Sequence, residues 1–422
     1  MSFKEWRDWQ KAIPWSLRWF VYLVFLRPFV DRFYDLKTIS PFLSPLYIVG
    51  ALTPMLCLVA LFRFRKKDTI VSDRFFNFLA VIVIIAGIFT FLINGFDIYS
   101  LMVFFKILTP VLLFPFCRIL IRSKEDLHGI LQTFLYSSII VIFIFFYEMI
   151  FGGLNIEYTR TDIARYQGGF ADLMNYAFYI TLGFASICYF YLIKRAKKTA
   201  TFRSILLVVL VGALCIAALS KISHLTSYFV FAGLLGLLCY ELFRASRRIL
   251  ILIGILLFVG YTLFGDQLYK SNIEPLISRD LEVVGGERAE TQLFHGRLGR
   301  WENMLTDFKG YPVFVQLFGV PFNLTDPFLT SLEITGGAHN DFLRILFNAG
   351  IIGLILYILF LLNIVFRLRY LKLPEHFLLA GILIIFLLYS VTTLPTMYSQ
   401  MLYIVFTVFS YASLKKGYLK EN

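Results

Sequence analysis

Residues 337–366 read GAHNDFLRILFNAGIIGLILYILFLLNIVF. A polar pair, His339 and Asn340, opens an apolar run long enough to cross about 30 Å of hydrocarbon as a helix. Upstream lies the one long hydrophilic segment of the chain, residues 266–339. A titratable imidazole at the mouth of a membrane helix, beneath a soluble loop, points to chemistry at a membrane surface.

The rest of the chain fits that setting. It has 422 residues, of which 59% are hydrophobic and 16% charged, against about 25% charged in soluble domains. Apolar runs near membrane-spanning length recur, and lipid leaves helices as the way to satisfy the backbone. The expected fold is an all-α integral membrane protein with about twelve transmembrane helices. The spans fall near 15–30, 42–62, 75–94, 99–120, 130–151, 173–193, 204–220, 226–243, 249–265, 341–366, 377–393 and 398–414. Three blocks follow: a membrane bundle over 1–265, a loop over 266–340 and C-terminal membrane helices over 341–422.

Lysine and arginine set the orientation. Cationic runs at 63–67, 194–198, 244–248, 367–372 and 415–420 share one side. The short loops opposite hold Arg32, Lys37, Arg160, Arg165 and Lys221. The positive-inside rule then makes both termini cytoplasmic. The net charge of +13 marks a face against anionic lipid and calls for no nucleic acid. At the N-terminus no cleavable signal pattern is seen, and Trp6, Trp9, Trp15 and Trp19 suggest an interfacial helix leading into the first span. All five cysteines fall in expected spans, which indicates neither a disulfide framework nor a metal cluster. Walker and dinucleotide-binding loops are absent, which disfavours nucleotide-driven chemistry.

Two outer loops are substantial. The smaller is 152–172; the larger, 266–339, carries six basic and ten acidic side chains. Within it RLGRWENMLTDFK, residues 297–309, sets Trp301, Leu305 and Phe308 at helical spacing. An amphipathic helix is expected there, lying on the outer face or packed down as a cap. The unusual polar groups gather at the same outer level. Asn175 opens the sixth span, Lys221 and His224 flank the turn before the eighth, and His339 and Asn340 open the tenth. Outward helix N-termini carry unpaired N–H groups and partial positive charge. With Arg160, Arg165, Arg297 and Arg300 they form an anion-attracting mouth suited to phosphate. Arg344, one turn into the tenth span, could border the same cavity, because buried charges in membranes usually face water or a partner.

At these residues the chain resembles a family. HNDFLRILFNAGIIG resembles the His-Asn and Gly-x-x-Gly helix of bacterial O-antigen ligases and O-antigen polymerases. RYQGGFADLMNYA is similar to their Arg-x-x-Gly-x-Phe…Asn segment, through Arg165, Gly168, Phe170 and Asn175. ALSKISHLTSYFVF resembles their Ser-Arg turn, and GRLGRWENML their Arg-x-x-x-Trp segment, through Arg297 and Trp301. The chain departs from the pattern at Met174, where the family has proline, and at Lys221, where it has arginine. Pro312 also stands far from Gly319. Lysine keeps the charge but loses the bidentate fork.

The resemblance implies a metal-independent, inverting glycosyltransferase of the bacterial inner membrane, without cofactor, whose active site faces the periplasm. Its donor is an undecaprenyl-diphosphate-linked oligosaccharide. Its acceptor is another lipid-linked glycan for a polymerase or lipid A–core for a ligase; a chain-length regulator is a further partner. Cations stabilise the charge that develops on the leaving diphosphate, with Arg165, Lys221, Arg297 and Arg300 as candidates. His339 is the candidate base: imidazole titrates near 6.5 and a helix N-terminus lowers that further. Asn340 orients the imidazole or caps the helix, with Asn175 and Trp301 as supporting residues. Gly350 and Gly353 admit a close neighbour. Each assignment has a structural rival: an interfacial His339, a snorkelling Lys221, or solvated charges at Arg165, Arg297 and Arg300. A polymerase is the first reading, since the two arginines of 152–172 suit a second lipid-linked substrate. A ligase is the alternative, favoured by the long loop after the ninth span. A lipid-linked oligosaccharide flippase, or a non-catalytic export subunit, are readings from other classes. The polar residues gather at the surface rather than the midplane where transporters place their sites.

Overall fold

The computed structural model describes residues 3–33, 36–39, 44–63, 73–94, 98–154, 156–158, 164–170, 172–245, 269–286, 293–319 and 339–414. In chain order the elements are α1 Phe3–Ala12, α2 Trp15–Arg32, α3 Leu36–Ile39, α4 Pro45–Arg63, α5 Arg74–Asn94, α6 Ile98–Leu120 and α7 Lys124–Phe151. A short hairpin, β1 Ile156–Tyr158 and β2 Ala164–Tyr166, precedes α8 Leu173–Ala196, α9 Phe202–Ile222 and α10 Leu225–Ala245. Then come α11 Glu274–Val284, α12 Leu293–Gly310, α13 Val313–Phe318, α14 Asp341–Arg367, α15 Leu373–Thr392 and α16 Ser399–Ala412.

The protein is an all-α multi-pass membrane protein apart from that hairpin. Among the described residues seven helices are long and apolar enough to cross a membrane: α4, α7, α8, α9, α10, α14 and α15. Shorter apolar helices lie within α5, α6 and α16. The expected spans coincide with helices except 249–265, which lies outside the described residues. Outward-facing Phe62, Phe143 and Phe151 are exposed, as side chains that meet lipid are.

The chain forms two compact units, each interleaved in sequence: Met1–Asp35, His128–Arg279 and Leu368–Leu388 in one, Leu36–Leu127, Asp280–Arg367 and Tyr389–Asn422 in the other. In the first unit α8 is mostly buried and packs on α9 and α10. The Tyr179 ring stacks on Phe134 and on Phe170. The charges of the first expected span are paired: Arg27 and Asp31, both buried on α2, lie 2.6 Å apart, one turn along the helix. Helix α1 docks on α7, where Trp6 Nε1 donates to Thr133 at 3.0 Å and the Trp9 ring fills the space above Gly129. The N-terminal tryptophans thus have protein partners.

In the second unit α4 and α16 pack on α6, and α14 on α5. Phe114 joins them, with ring centroids 4.6 Å from Phe76, 5.1 Å from Phe360 and 5.4 Å from Phe406. The run 341–366 is broken: Gly350, with φ 69° and ψ −173°, interrupts α14. Helix α13 causes the break by backbone contact. A Cβ on Gly350 would overlap the Leu317 carbonyl, and one on Gly319 (φ 90°) would stand 2.5 Å from the Asn348 carbonyl carbon. Pro312 and Gly319 bracket α13 as its two caps, so their wide spacing houses a helix. The expected 297–309 helix appears as α12. Its Phe308 is buried against Phe347 and Leu346 of α14, while Leu305 remains exposed.

Gly350→Ala should lower the stability of purified protein in detergent by about 2 kcal/mol or more, because the left-handed φ and the backbone contact both resist a Cβ. Gly50→Ala, with open space around it, should leave the thermal midpoint unchanged.

Candidate functional site

The start of α14 is built from a cap and a buried polar network. His339 adopts φ 45°, a left-handed conformation that histidine tolerates better than most residues. The turn leads into Asn340, whose Oδ1 accepts from the amides of Phe342 at 2.9 Å and Leu343 at 3.1 Å. Asn340 is therefore the N-cap of α14. Its oxygen is committed to the backbone and His339 is left half-buried beside the helix mouth.

Asp341 follows and is fully buried. Its Oδ2 accepts from the Thr396 amide at 3.0 Å, and its Oδ1 from the Thr396 hydroxyl at 2.6 Å. Arg344, one turn on, donates Nε to the same Oδ1 at 3.0 Å and also reaches the Thr396 hydroxyl. Arg344 therefore has protein partners. Thr396 belongs to a single 3-10 turn, Pro395–Met397, between α15 and α16. From α12, Arg297 Nη1 donates to the Thr392 carbonyl at 2.9 Å. That carbonyl ends α15, where the partial negative charge of a helix C-terminus favours a cation. Arg300 Nε turns back to the Gly296 carbonyl at 3.4 Å, and Trp301 is half-buried on the same helix.

In the other unit the hairpin pairs Glu157 with Arg165. Successive strand residues face opposite sides, so Arg165 lies on the face away from Tyr166. Tyr166 covers Lys221, whose Nζ is 5.0 Å from the ring centroid. Lys221 occupies the last turn of α9. The buried Glu148 carboxylate, near the end of α7, lies among Lys221, Arg32 and the backbone amides of Leu154 and Gly168. Two left-handed glycines make room beside it: Gly168 (φ 63°) packs under the Tyr176 ring, and a Cβ on Gly169 (φ 69°) would stand 2.9 Å from Arg32 Nη2. Asn175 is buried in the first turn of α8. The cap there is Asp172, which accepts from the Met174 amide at 2.8 Å; a proline at 174 could not donate that bond. His224 is buried and its Nδ1 lies 2.9 Å from the Ser227 hydroxyl, a capping position at the start of α10.

Within units, the fold therefore brings Arg297 and Asp341, the latter two residues after His339, to one turn, and sets Lys221 beside Tyr166 and in the surroundings of Glu148. It places Arg165 on the other face of the hairpin from the Lys221 contact.

Residues 206–358 match the O-antigen ligase family. The match supports membership of the O-antigen ligase and polymerase superfamily. The family is one of glycosyltransferase-like membrane enzymes of surface polysaccharide biosynthesis, and it implies lipid-linked glycan substrates. The matched stretch contains Lys221, Arg297, Arg300, Trp301, His339 and Asn340; Arg165 and Asn175 lie before it. No curated protein matches the chain.

Sequence reasoning did not single out Asp341, Thr396 or Glu148. Asp341 had a legible signal, a carboxylate three residues before an arginine inside an apolar run. Thr396 had none, since it lies 55 residues from its partner. Asn340→Ala should cost about 1 kcal/mol of stability through loss of the cap. Asn340→Asp, which keeps an acceptor oxygen, should retain it in thermal unfolding.

Proposed function

We propose that this protein is a glycosyltransferase of the bacterial inner membrane, with both termini cytoplasmic. It moves a glycan from an undecaprenyl-diphosphate carrier to a sugar hydroxyl at the periplasmic face, as a polymerase of surface polysaccharide. One observation carries the reading: a half-buried His339 stands at a helix mouth inside the family-matched segment, and Asp341, two residues on, and Arg297 are both bonded to the 392–397 turn.

The chemistry follows from those groups. The acceptor hydroxyl oxygen attacks the anomeric carbon of the donor glycan and gives its proton to His339, neutral beside a helix N-terminus. The bond from that carbon to the diphosphate oxygen breaks, and the departing oxygen takes the electron pair. A single displacement of this kind inverts the anomeric centre. The developing negative charge calls for fixed cations. Arg297 supplies one, with Nη1 anchored on the Thr392 carbonyl. Arg165, Lys221 and Arg300 are the further proposed diphosphate-binding cations. Lys221, covered by Tyr166 and balanced by Glu148, contributes field more than direct contact. Positioned cations take the role a metal ion would have, and the step needs no cofactor.

The family description favours one second reading, a ligase that transfers the glycan to lipid A–core. The polymerase reading adds a chain-length regulator as partner. The discriminating assay supplies purified protein in nanodiscs with a matched undecaprenyl-diphosphate oligosaccharide, with and without lipid A–core. Ladders from donor alone are expected; product only when core is present would replace the polymerase reading by the ligase. His339→Ala should abolish transfer while leaving donor binding largely intact, and normal turnover by that variant would remove the base assignment. Arg297→Ala and Arg165→Ala should each weaken donor use, read as a fall of about 10-fold or more in kcat/KM.

A further inference from the structure

We infer that Asp341 and Thr396 are positioning residues that set the placement of His339 relative to Arg297 across the 392–397 turn. The inference rests on the transferase reading above and deepens it. It is carried by the way one short turn holds both Arg297 and Asp341, the residue two positions after His339. At one end the Thr392 carbonyl receives Arg297 Nη1 at 2.9 Å. Four residues on, Thr396 gives its amide and its hydroxyl to the two oxygens of Asp341, at 3.0 and 2.6 Å. Asp341 stands two residues after His339 and is fully buried. The turn is thus a strut, with the guanidinium at one end and, at the other, the buried carboxylate two residues after His339.

Two physical arguments separate this from packing alone. Asp341, Arg344 and Thr396 are all buried in an otherwise apolar bundle. Apolar side chains of similar volume generally hold helices together as well as a buried ion pair does. What they cannot do is fix direction. A carboxylate bonded to both the amide and the hydroxyl of one residue defines its position along two axes, and Arg344 closes the arrangement by bonding Asp341 and Thr396 together. Transfer chemistry is the process that needs such precision, since a misplacement of about 1 Å can cost about 10²-fold in rate. Asp341 has no exposed surface, so it acts through Thr396 and the helix start.

The test uses Thr396→Val, which removes the hydroxyl at nearly constant volume and leaves the amide bond to Asp341. The full-length protein in nanodiscs is assayed with a matched undecaprenyl-diphosphate oligosaccharide, with and without lipid A–core, beside wild type. We expect kcat to fall about 10-fold with donor KM changed by less than about 2-fold, and Thr396→Ser to restore the wild-type kcat. Thr396→Ala should report the same loss if the valine variant does not fold, as judged by size-exclusion and thermal unfolding. Wild-type kcat in folded Thr396→Val, or a serine variant as impaired as the valine one, overturns the positioning role. Absence of transfer by wild type itself overturns the transferase reading, and this inference with it.

Discussion

A polar group carried into an apolar helical bundle must find its partner inside the protein, and the interior here is organised around that requirement. Bulk water is not at hand to solvate a guanidinium or a carboxylate, so each must be met by opposite charge or a hydrogen bond. Arg27 meets Asp31 one turn along α2. Asp341 meets Arg344 and Thr396. Fully buried Glu241 of α10 meets His376 of α15 at 3.0 Å. These pairs fix which helix faces point inward, and the apolar rings then pack around them.

The same requirement extends to the backbone. A broken helix frees carbonyl and amide groups, which is tolerated where protein covers the break. At Gly350 the covering element is α13, whose C-terminal backbone lies directly against α14. Glycine is needed on both sides because neither backbone can approach with a Cβ between them. The contact joins the loop helices to the membrane helix that begins at His339. Phe308 of α12 adds apolar burial to the same join, packing on Phe347 of α14. Loop and membrane helix are therefore one packed assembly within their unit, so Arg297 is borne by a rigid element.

The site itself shows a division between caps and chemistry. Asn340 serves the helix, Arg344 serves Asp341, and His224 serves the start of α10. The half-buried His339, by contrast, occupies a left-handed turn ahead of a capped helix. Strained backbone held in place by its surroundings is a recurrent feature of reactive positions. Lys221 shows the other side of the same logic. Its charge is placed by Tyr166 and balanced by Glu148, two residues from segments far apart in sequence from α9.

The amino-acid sequence by itself determined the class of the protein, the location of its apolar helices and the motif residues. Those features are written locally, as apolar runs of spanning length and as polar residues at their ends, and lipid leaves the backbone few alternatives. His339 and Arg297 stood out as candidates for the same reason, being polar residues in unusual local settings. Only the tertiary structure decided that 341–366 breaks at Gly350, that Arg165 and Tyr166 present opposite faces of a hairpin, and that Thr396 braces Asp341. Each of these depends on a neighbour brought close by folding rather than by sequence. Hydrophobic periodicity carries no information about which distant amide or carbonyl will meet a buried side chain, so the partner is fixed only when the helices pack.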